Sequence, residues 1–223
     1  MKYRGESTVT MSKRIILILV LAVSLMGQNI QLHYDLAEDR QYPVTFVEMF
    51  SPDNMGSTYW FVTMEYNNGG MSLAYWEIAR HFTLPVQNLS ATVQYNDGVA
   101  NFGSLGYAWL AGISYYFQIG EIGLPVDIMY RAAQGAQSAD FQITTYWGIP
   151  FLNEKLSFVG YFDLWSQDSG QDEKMLVVLT EPQIWYKLGE SLSVGTEFEL
   201  SHNFLFGETG LQLRPTLGAR WEF

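Results

Sequence analysis

The fold is decided by the last thirteen residues, Leu211-Gln212-Leu213-Arg214-Pro215-Thr216-Leu217-Gly218-Ala219-Arg220-Trp221-Glu222-Phe223. Leu211, Leu213, Pro215, Leu217, Ala219, Trp221 and Phe223 fall on odd positions, and Gln212, Arg214, Thr216, Gly218, Arg220 and Glu222 on even ones. Side chains of a strand point to alternate faces, so a period of two separates an apolar face from a polar one. The preceding segment repeats the pattern. Leu192, Val194, Phe198 and Leu200 oppose Ser193, Gly195, Glu197, Glu199 and Ser201.

Working back along the chain, the same alternation recurs at 140–149, 126–131, 157–164, 89–95, 60–66 and 30–35. Four more apolar and less regular segments, Val44–Phe50, Ser72–Phe82, Tyr107–Gln118 and Met175–Tyr186, still hold Glu48, Glu77, Ser114 and Glu181. Counted together they predict twelve strands. Turn signals separate them at Asn67-Asn68-Gly69-Gly70, Asp97-Gly98 and Leu188-Gly189-Glu190. No stretch after Gln28 carries a convincing helical period.

The chain has 223 residues, 12 bases against 23 acids, no cysteine, 16% aromatic and only 16% charged residues. Disorder is excluded by that composition. The acidic balance argues against binding a nucleic-acid polymer, which needs a basic footprint. The lack of cysteine removes disulfides, thiolate metal sites and a cysteine nucleophile.

Met11 opens a signal-like segment. Lys13 and Arg14 form its charged start, Ile15 to Val23 its short apolar run, and Ser24 to Gly27 its uncharged end. The run is shorter than the roughly 20 apolar residues of a spanning helix. The alternative is a buried N-terminal helix or strand. Residues 1–27 are thus expected to be an upstream extension and signal peptide, cleaved after Gly27, and residues 28–223 a single barrel. Removing 1–27 takes away four bases and one acid. The remaining 196 residues carry 8 bases, 22 acids and a net charge of −14.

Alternation alone suits either a soluble sandwich or a membrane barrel, which wet opposite faces. Three features favour the membrane. The signal exports the chain. The last strand ends on the aromatic Phe223. Tyr and Trp gather near strand ends, at Tyr59, Trp60 and Tyr66; Trp109, Tyr115 and Tyr116; Trp147; Trp165; Trp185 and Tyr186; and Trp221. Aromatic belts at the two interfaces are the membrane-barrel signature. The expected architecture is therefore all-β: a 12-stranded antiparallel transmembrane barrel of the outer-membrane type. With the N-terminus periplasmic, Asp97–Gly106, Ser166–Lys174 and His202–Gly210 are outer loops. Pro150–Glu154 and Leu188–Glu190 are short periplasmic turns.

Several runs also resemble a known family. They are Gln31-Leu32-His33-Tyr34-Asp35, Thr45-Phe46-Val47-Glu48-Met49-Phe50, Met71 to Arg80, Glu181-Pro182-Gln183-Ile184-Trp185-Tyr186, and the ending Pro215 to Phe223. Together they resemble an uncharacterised outer-membrane barrel family related to the Tsx nucleoside-specific channels. The resemblance covers essentially the whole of 28–223. It implies a twelve-stranded barrel passing small solutes, with nucleosides the solute implied by the distant relationship.

On the inward faces lie Asp35, Glu48, Glu65, Glu77, Asp127, Asp140, Asp163, Glu181, Glu197 and Glu199, with Arg131, Arg214 and Arg220 as their main basic partners. Such a wall makes a cation-leaning pore, since charged rings tune selectivity. It could equally close into an ion-paired plug. Glu197, Glu199, Arg214 and Arg220 share one face of adjacent strands and are expected to form a constriction. Tyr116, Tyr146 and Tyr161 could stack on a flat solute, at about 1–3 kcal/mol per base in single-strand binders, or simply line the wall. The expected solute contacts are thus Glu65, Glu77, Asp127, Arg131, Tyr146, Glu181, Glu197, Glu199, Arg214 and Arg220.

Two other classes compete with a channel. A lipid-modifying enzyme would use Ser201-His202-Asn203, but consecutive strand residues face opposite sides. A closed structural or surface-interaction barrel would need long outer loops, and these are modest. His33 and Asp35 share a face but fall short of a metal-ligand set. No metal, cofactor or covalent chemistry is expected. The expected partners are outer-membrane lipid, small polar solutes and, through Phe223, the outer-membrane assembly machinery.

Overall fold

A computed structural model describes residues 28–223, apart from 68, 121, 171, 172, 206, 208 and 209. The expected signal segment, extension and cleavage point lie outside the described residues. The chain forms β1 (Gln28–Asp35), β2 (Pro43–Asp53), β3 (Gly56–Asn67), β4 (Gly70–Thr83), β5 (Leu89–Ala100) and β6 (Ala108–Ile119). There follow β7 (Ile122–Ala133), β8 (Asp140–Phe151), β9 (Leu156–Gly170), β10, β11 (Leu192–His202) and β12 (Leu211–Glu222). Strand β10 has two halves, Glu173–Thr180 and Gln183–Lys187, broken at Glu181-Pro182. Proline cannot donate to a ladder. Both halves nonetheless keep the same register against β9 and β11, as Thr180 pairs Phe162 and Leu200 while Gln183 pairs Val159 and Glu197. The break therefore leaves side-chain parity intact, and the halves count as one strand.

Every neighbour is antiparallel, and β1 pairs with β12 from Asn29–Glu222 to Asp35–Thr216. The sheet closes on itself, so no edge is left. The ring is the expected twelve-stranded barrel. Gln28 and Phe223 lie at one end, where the Phe223 amide donates to the Gln28 carbonyl at 3.1 Å. Connections at that end are short, with two-residue hairpins closing Asp53 onto Gly56 and Ile119 onto Ile122. The distal end carries the longer 36–42, 101–107, 134–139 and 203–210 connections.

Side chains divide as the alternation predicts. On β12, Leu213 and Leu217 are 57% and 59% exposed, whereas Arg214 and Thr216 are 4% and 5% exposed. Ile30, Leu32, Ile113, Ile128 and Tyr130 continue the apolar exterior, and Gln31, Gln94, Asp127, Gln142 and Thr144 the buried interior. An exterior of this kind suits hydrocarbon, and a closed ladder leaves no backbone group unsatisfied in it. The barrel is of the outer-membrane type.

Three expectations are corrected. Asp97-Gly98 is not a turn but lies inside β5, paired with Trp76 and Tyr75. The glycine allows close approach, because a Cβ on Gly98 would come within 2.6 Å of the Leu105 side chain and 3.1 Å of the Ala74 carbonyl and the Tyr75 ring. Ser166–Lys174 is not a loop. Strands β9 and β10 run through it as a long hairpin, and Lys174 clasps its cross-strand partner Asp168 at 2.6 Å. Finally, Tyr59, Trp165 and Trp185 do not join the aromatic belts. Trp165 and Trp185 share parity with Asp163 and Gln183 and are buried inside the barrel; Tyr59 shares parity with Glu65. Trp185 lies across Gly195 of β11, where a Cβ would meet the indole at 2.6 Å.

The lumen is consequently less polar than expected. Ala108, Leu110 and Met129 make one buried apolar cluster in it, and Trp165, Val177 and Leu179 another.

An arginine on the lipid face should cost about 2–4 kcal/mol near the bilayer midplane and about 0–1 near its edge. Leu217→Arg is therefore expected to destabilise the barrel by a few times more than Ile30→Arg. Urea unfolding of the barrel in lipid vesicles checks this, and equal costs would refute the placement.

Candidate functional site

The lumen wall carries its charges at three levels. At the distal end the 36–42 connection turns inward. Arg40 donates through Nη1 and Nη2 to Glu199 at 2.9 and 3.2 Å, and through Nη1 to Asp35 at 3.3 Å. Arg214, opposite Glu199 in the β11–β12 register, donates to Glu199 at 3.0 Å and to Asp39 at 3.1 Å. Two arginines thus share one glutamate, with Asp35 and Asp39 completing the alternation of charge. Next to this clasp, Tyr42 donates to Glu65 at 2.7 Å. Burial works against the Arg40 charge, but Glu199 overrides it and its pKa is raised, so Arg40 stays charged. Burial pushes the Asp39 carboxyl up, but the Arg214 hydrogen bond and the two arginine charges outweigh it and hold Asp39 below its ordinary value.

The middle level is acidic and tyrosine-rich. Tyr75 donates to Glu77, which also accepts from Asn96 at 3.0 Å. Thr144 donates to Asp163, and Gln183 to Glu197. Tyr146 and Tyr161 are cross-strand partners on the lumen face. The β10 break puts Glu181 among them by parity. It is held by the Thr180 hydroxyl donating to the Tyr161 carbonyl at 2.6 Å and by the Phe198 amide donating to the Pro182 carbonyl at 3.0 Å.

Near the start of β1, Asn29 donates to Glu48 at 2.9 Å. Further up the same strand, Nδ1 of His33 meets the Thr216 hydroxyl at 2.7 Å and Nε2 meets Gln31 at 2.9 Å. His33 and Asp35 therefore serve separate networks. His81 meets Asp127 at 2.9 Å, and Gln94 donates to the same carboxylate oxygen at 3.0 Å. Among the described residues no His, Asp or Glu group could hold a metal ion.

The expected foursome is thus only half assembled. Glu199 and Arg214 meet, and Glu197 is two positions along the same face. Arg220 lies six residues from Arg214, about 20 Å along the strand at the usual rise. There it pairs with Glu222 at 2.9 Å and covers the Trp185 ring at 4.8 Å. Shared parity places residues on one face but not at one height. Tyr116 sits near the terminal end, apart from Tyr146 and Tyr161. Arg131 stands at the distal end without an ion pair among the described residues.

Sequence reading missed Arg40 and Asp39. They belong to a connection, where no periodicity says which way a side chain points. The available signal was an arginine preceded by Glu38 and Asp39, five residues after Asp35.

Residues 27–223 match the model of a family described as "Domain of unknown function (DUF5020)". The chain belongs to this family. No curated protein matches it in sequence. Among solved structures the DUF5020 chain is similar to the NanC porin, with a TM-score of 0.60 at 10% identity over 88% of this chain and 100% of that one. It also matches the outer membrane protein Omp33 of Acinetobacter baumannii, with a TM-score of 0.44 at 14% identity over 88% and 96% of the two chains. The likeness to NanC is one of fold.

Ser201 is fully buried on the lumen side, where it donates to Glu199 at 3.4 Å, and His202 is exposed on the other face. This DUF5020 barrel thus separates the tempting nucleophile from its base, as alternation requires.

Removing the carboxylate that two buried arginines share should be costly. Breaking a buried pair usually costs about 3–5 kcal/mol, an exposed pair about 1 or less. Glu199→Ala is expected to fall in the first range, and Asp53→Ala, at the exposed Arg80 pair, to cost clearly less. Denaturant titration of the two variants in one detergent compares them directly.

Proposed function

We propose that this barrel is a passive outer-membrane channel for small polar solutes, with Gln28 and Phe223 toward the periplasm and nucleosides the first solutes to test. One observation carries the reading. Polar and charged side chains line the interior at all three levels, while the exterior is apolar. The fold shared with the NanC porin supports it. The nucleoside preference rests on the resemblance to the Tsx-related family and on Tyr146 and Tyr161, whose rings offer faces to a flat base. The solute path in this reading passes Glu65, Glu199 and Arg214, then Glu77, Tyr146, Glu181 and Glu197, and then Asp127. Phe223, exposed beyond the end of β12, suits recognition by the outer-membrane assembly machinery.

A second reading is a closed barrel, and the two buried apolar clusters of the lumen favour it. Swelling of liposomes in sugars, amino acids and nucleosides separates the two. An open channel gives solute-dependent swelling, fastest with nucleosides, and a plug gives none.

The clasp makes a sharper prediction for an open channel. Arg40→Ala removes a fixed positive charge and exposes Asp35 and Glu199. Cation preference should rise several-fold, which the reversal potential in a salt gradient measures. An unchanged potential would place the solute path away from the clasp.

A further inference from the structure

Arg131 and Asp140 lie directly opposite each other in the β7–β8 register. Opposite charges in that relation usually close into an ion pair, with Cβ atoms about 5 Å apart. Here they do not. The Arg131 guanidinium leans over the Trp165 ring, 5.8 Å from its centroid. The Asp140 carboxylate turns the other way, and its Oδ1 accepts from Ser166 at 2.7 Å and Lys174 at 2.9 Å. Among the described residues Arg131 Nε and Asp140 Oδ2 are buried without a hydrogen-bond partner. Both residues line a cavity of about 300 Å³ at the distal mouth, with Leu105, Tyr107, Gln134 and Gln167 also on its wall and Asp168, itself paired with Lys174, at its side.

Each feature constrains the ligand. A cation held off its natural partner by an indole is open to an anionic group. Asp140, whose other oxygen already pairs with Lys174, keeps one buried oxygen to spare for a further donor. The two stand close enough to serve a single small head group of both signs. Leu105 and Tyr107 add apolar surface for what that head group carries. A simple anion would have Asp140 against it, and a simple cation Arg131.

We propose that this cavity is a binding site for the zwitterionic head of an α-amino acid or the like, its carboxylate held by Arg131 and its ammonium by Asp140. Such a solute is neutral overall, so the acidic lumen beyond the site does not repel it. The assignment goes beyond the channel reading and does not need it, because binding is measured on the closed or open barrel alike.

The test is calorimetric titration of the purified barrel in detergent with L-leucine, L-leucinamide and N-acetyl-L-leucine. Leucine should bind, and each blocked form should bind about tenfold or more weakly, as expected for losing one charge-assisted contact. Arg131→Gln should weaken leucine by a similar factor and Arg131→Lys by less, with heat-modifiable gel mobility showing that each variant folds. Equal binding of leucine and N-acetyl-leucine would make this a plain anion site and overturn the proposal. So would failure of the wild-type barrel to bind leucine, or unchanged affinity in a folded Arg131→Gln variant. Should Arg131→Gln fail to fold, the blocked ligands on the wild-type barrel still decide. Absence of liposome swelling would count against the channel and leave this site standing.

Discussion

The structure depends on backbone hydrogen bonding that has no water to fall back on. A strand in hydrocarbon must give every N–H and C=O to a neighbour, so a sheet can lie there only if its first and last strands meet. In this chain β1 and β12 meet over seven register pairs, from Asn29–Glu222 to Asp35–Thr216. Hairpin connections set the antiparallel order, and an antiparallel β1–β12 closure then requires an even number of strands, with Gln28 and Phe223 at one end. It also explains why Pro182 is tolerated mid-sheet. The proline removes one donor, but the surrounding register is unchanged on both sides and the Pro182 carbonyl still accepts from Phe198.

Closure turns one face of every strand into a shared interior, and the chemistry of that interior is unlike a soluble core. Most of its buried groups are polar, and each carboxylate comes with a donor: Glu199 with two arginines, Asp163 with Thr144, Glu77 with Tyr75 and Asn96, and Asp127 with His81 and Gln94. Charges taken out of water are expensive unless paired and hydrogen-bonded. The wall therefore reads as a set of local satisfactions strung along the barrel. Where they fail to close, as between Arg131 and Asp140, each residue keeps one buried atom without a hydrogen-bond partner, beside a cavity that both residues line.

The local readings that failed did so for identifiable reasons. Asp97-Gly98 has the composition of a turn, but the glycine answers to the Leu105 side chain and to Ala74 and Tyr75 across the strand pair. Ser166–Lys174 has the composition of a solvated loop, but cross-strand pairing of Asp168 with Lys174 carries the hairpin on beyond it. Trp165 and Trp185 lie near strand ends, as belt residues do. Their parity with Asp163 and Gln183 was the better guide, since in a barrel parity alone decides between lipid and lumen.

By itself, the sequence determined the class of fold, the number of strands and the face of nearly every strand residue, because a period of two is local and survives in any register. That much of the candidate wall was legible too: Glu65, Glu77, Asp127, Arg131, Tyr146, Glu181, Glu197, Glu199, Arg214 and Arg220 all carry inward parity. Only the tertiary structure decided their heights and partners, which depend on how each strand is staggered against the next. That stagger brings Arg214 to Glu199, leaves Arg220 about 20 Å away and holds Arg131 apart from Asp140. The inward turn of Arg40 was likewise invisible, because a connection has no periodicity and its direction is set by the charges it finds across the barrel mouth.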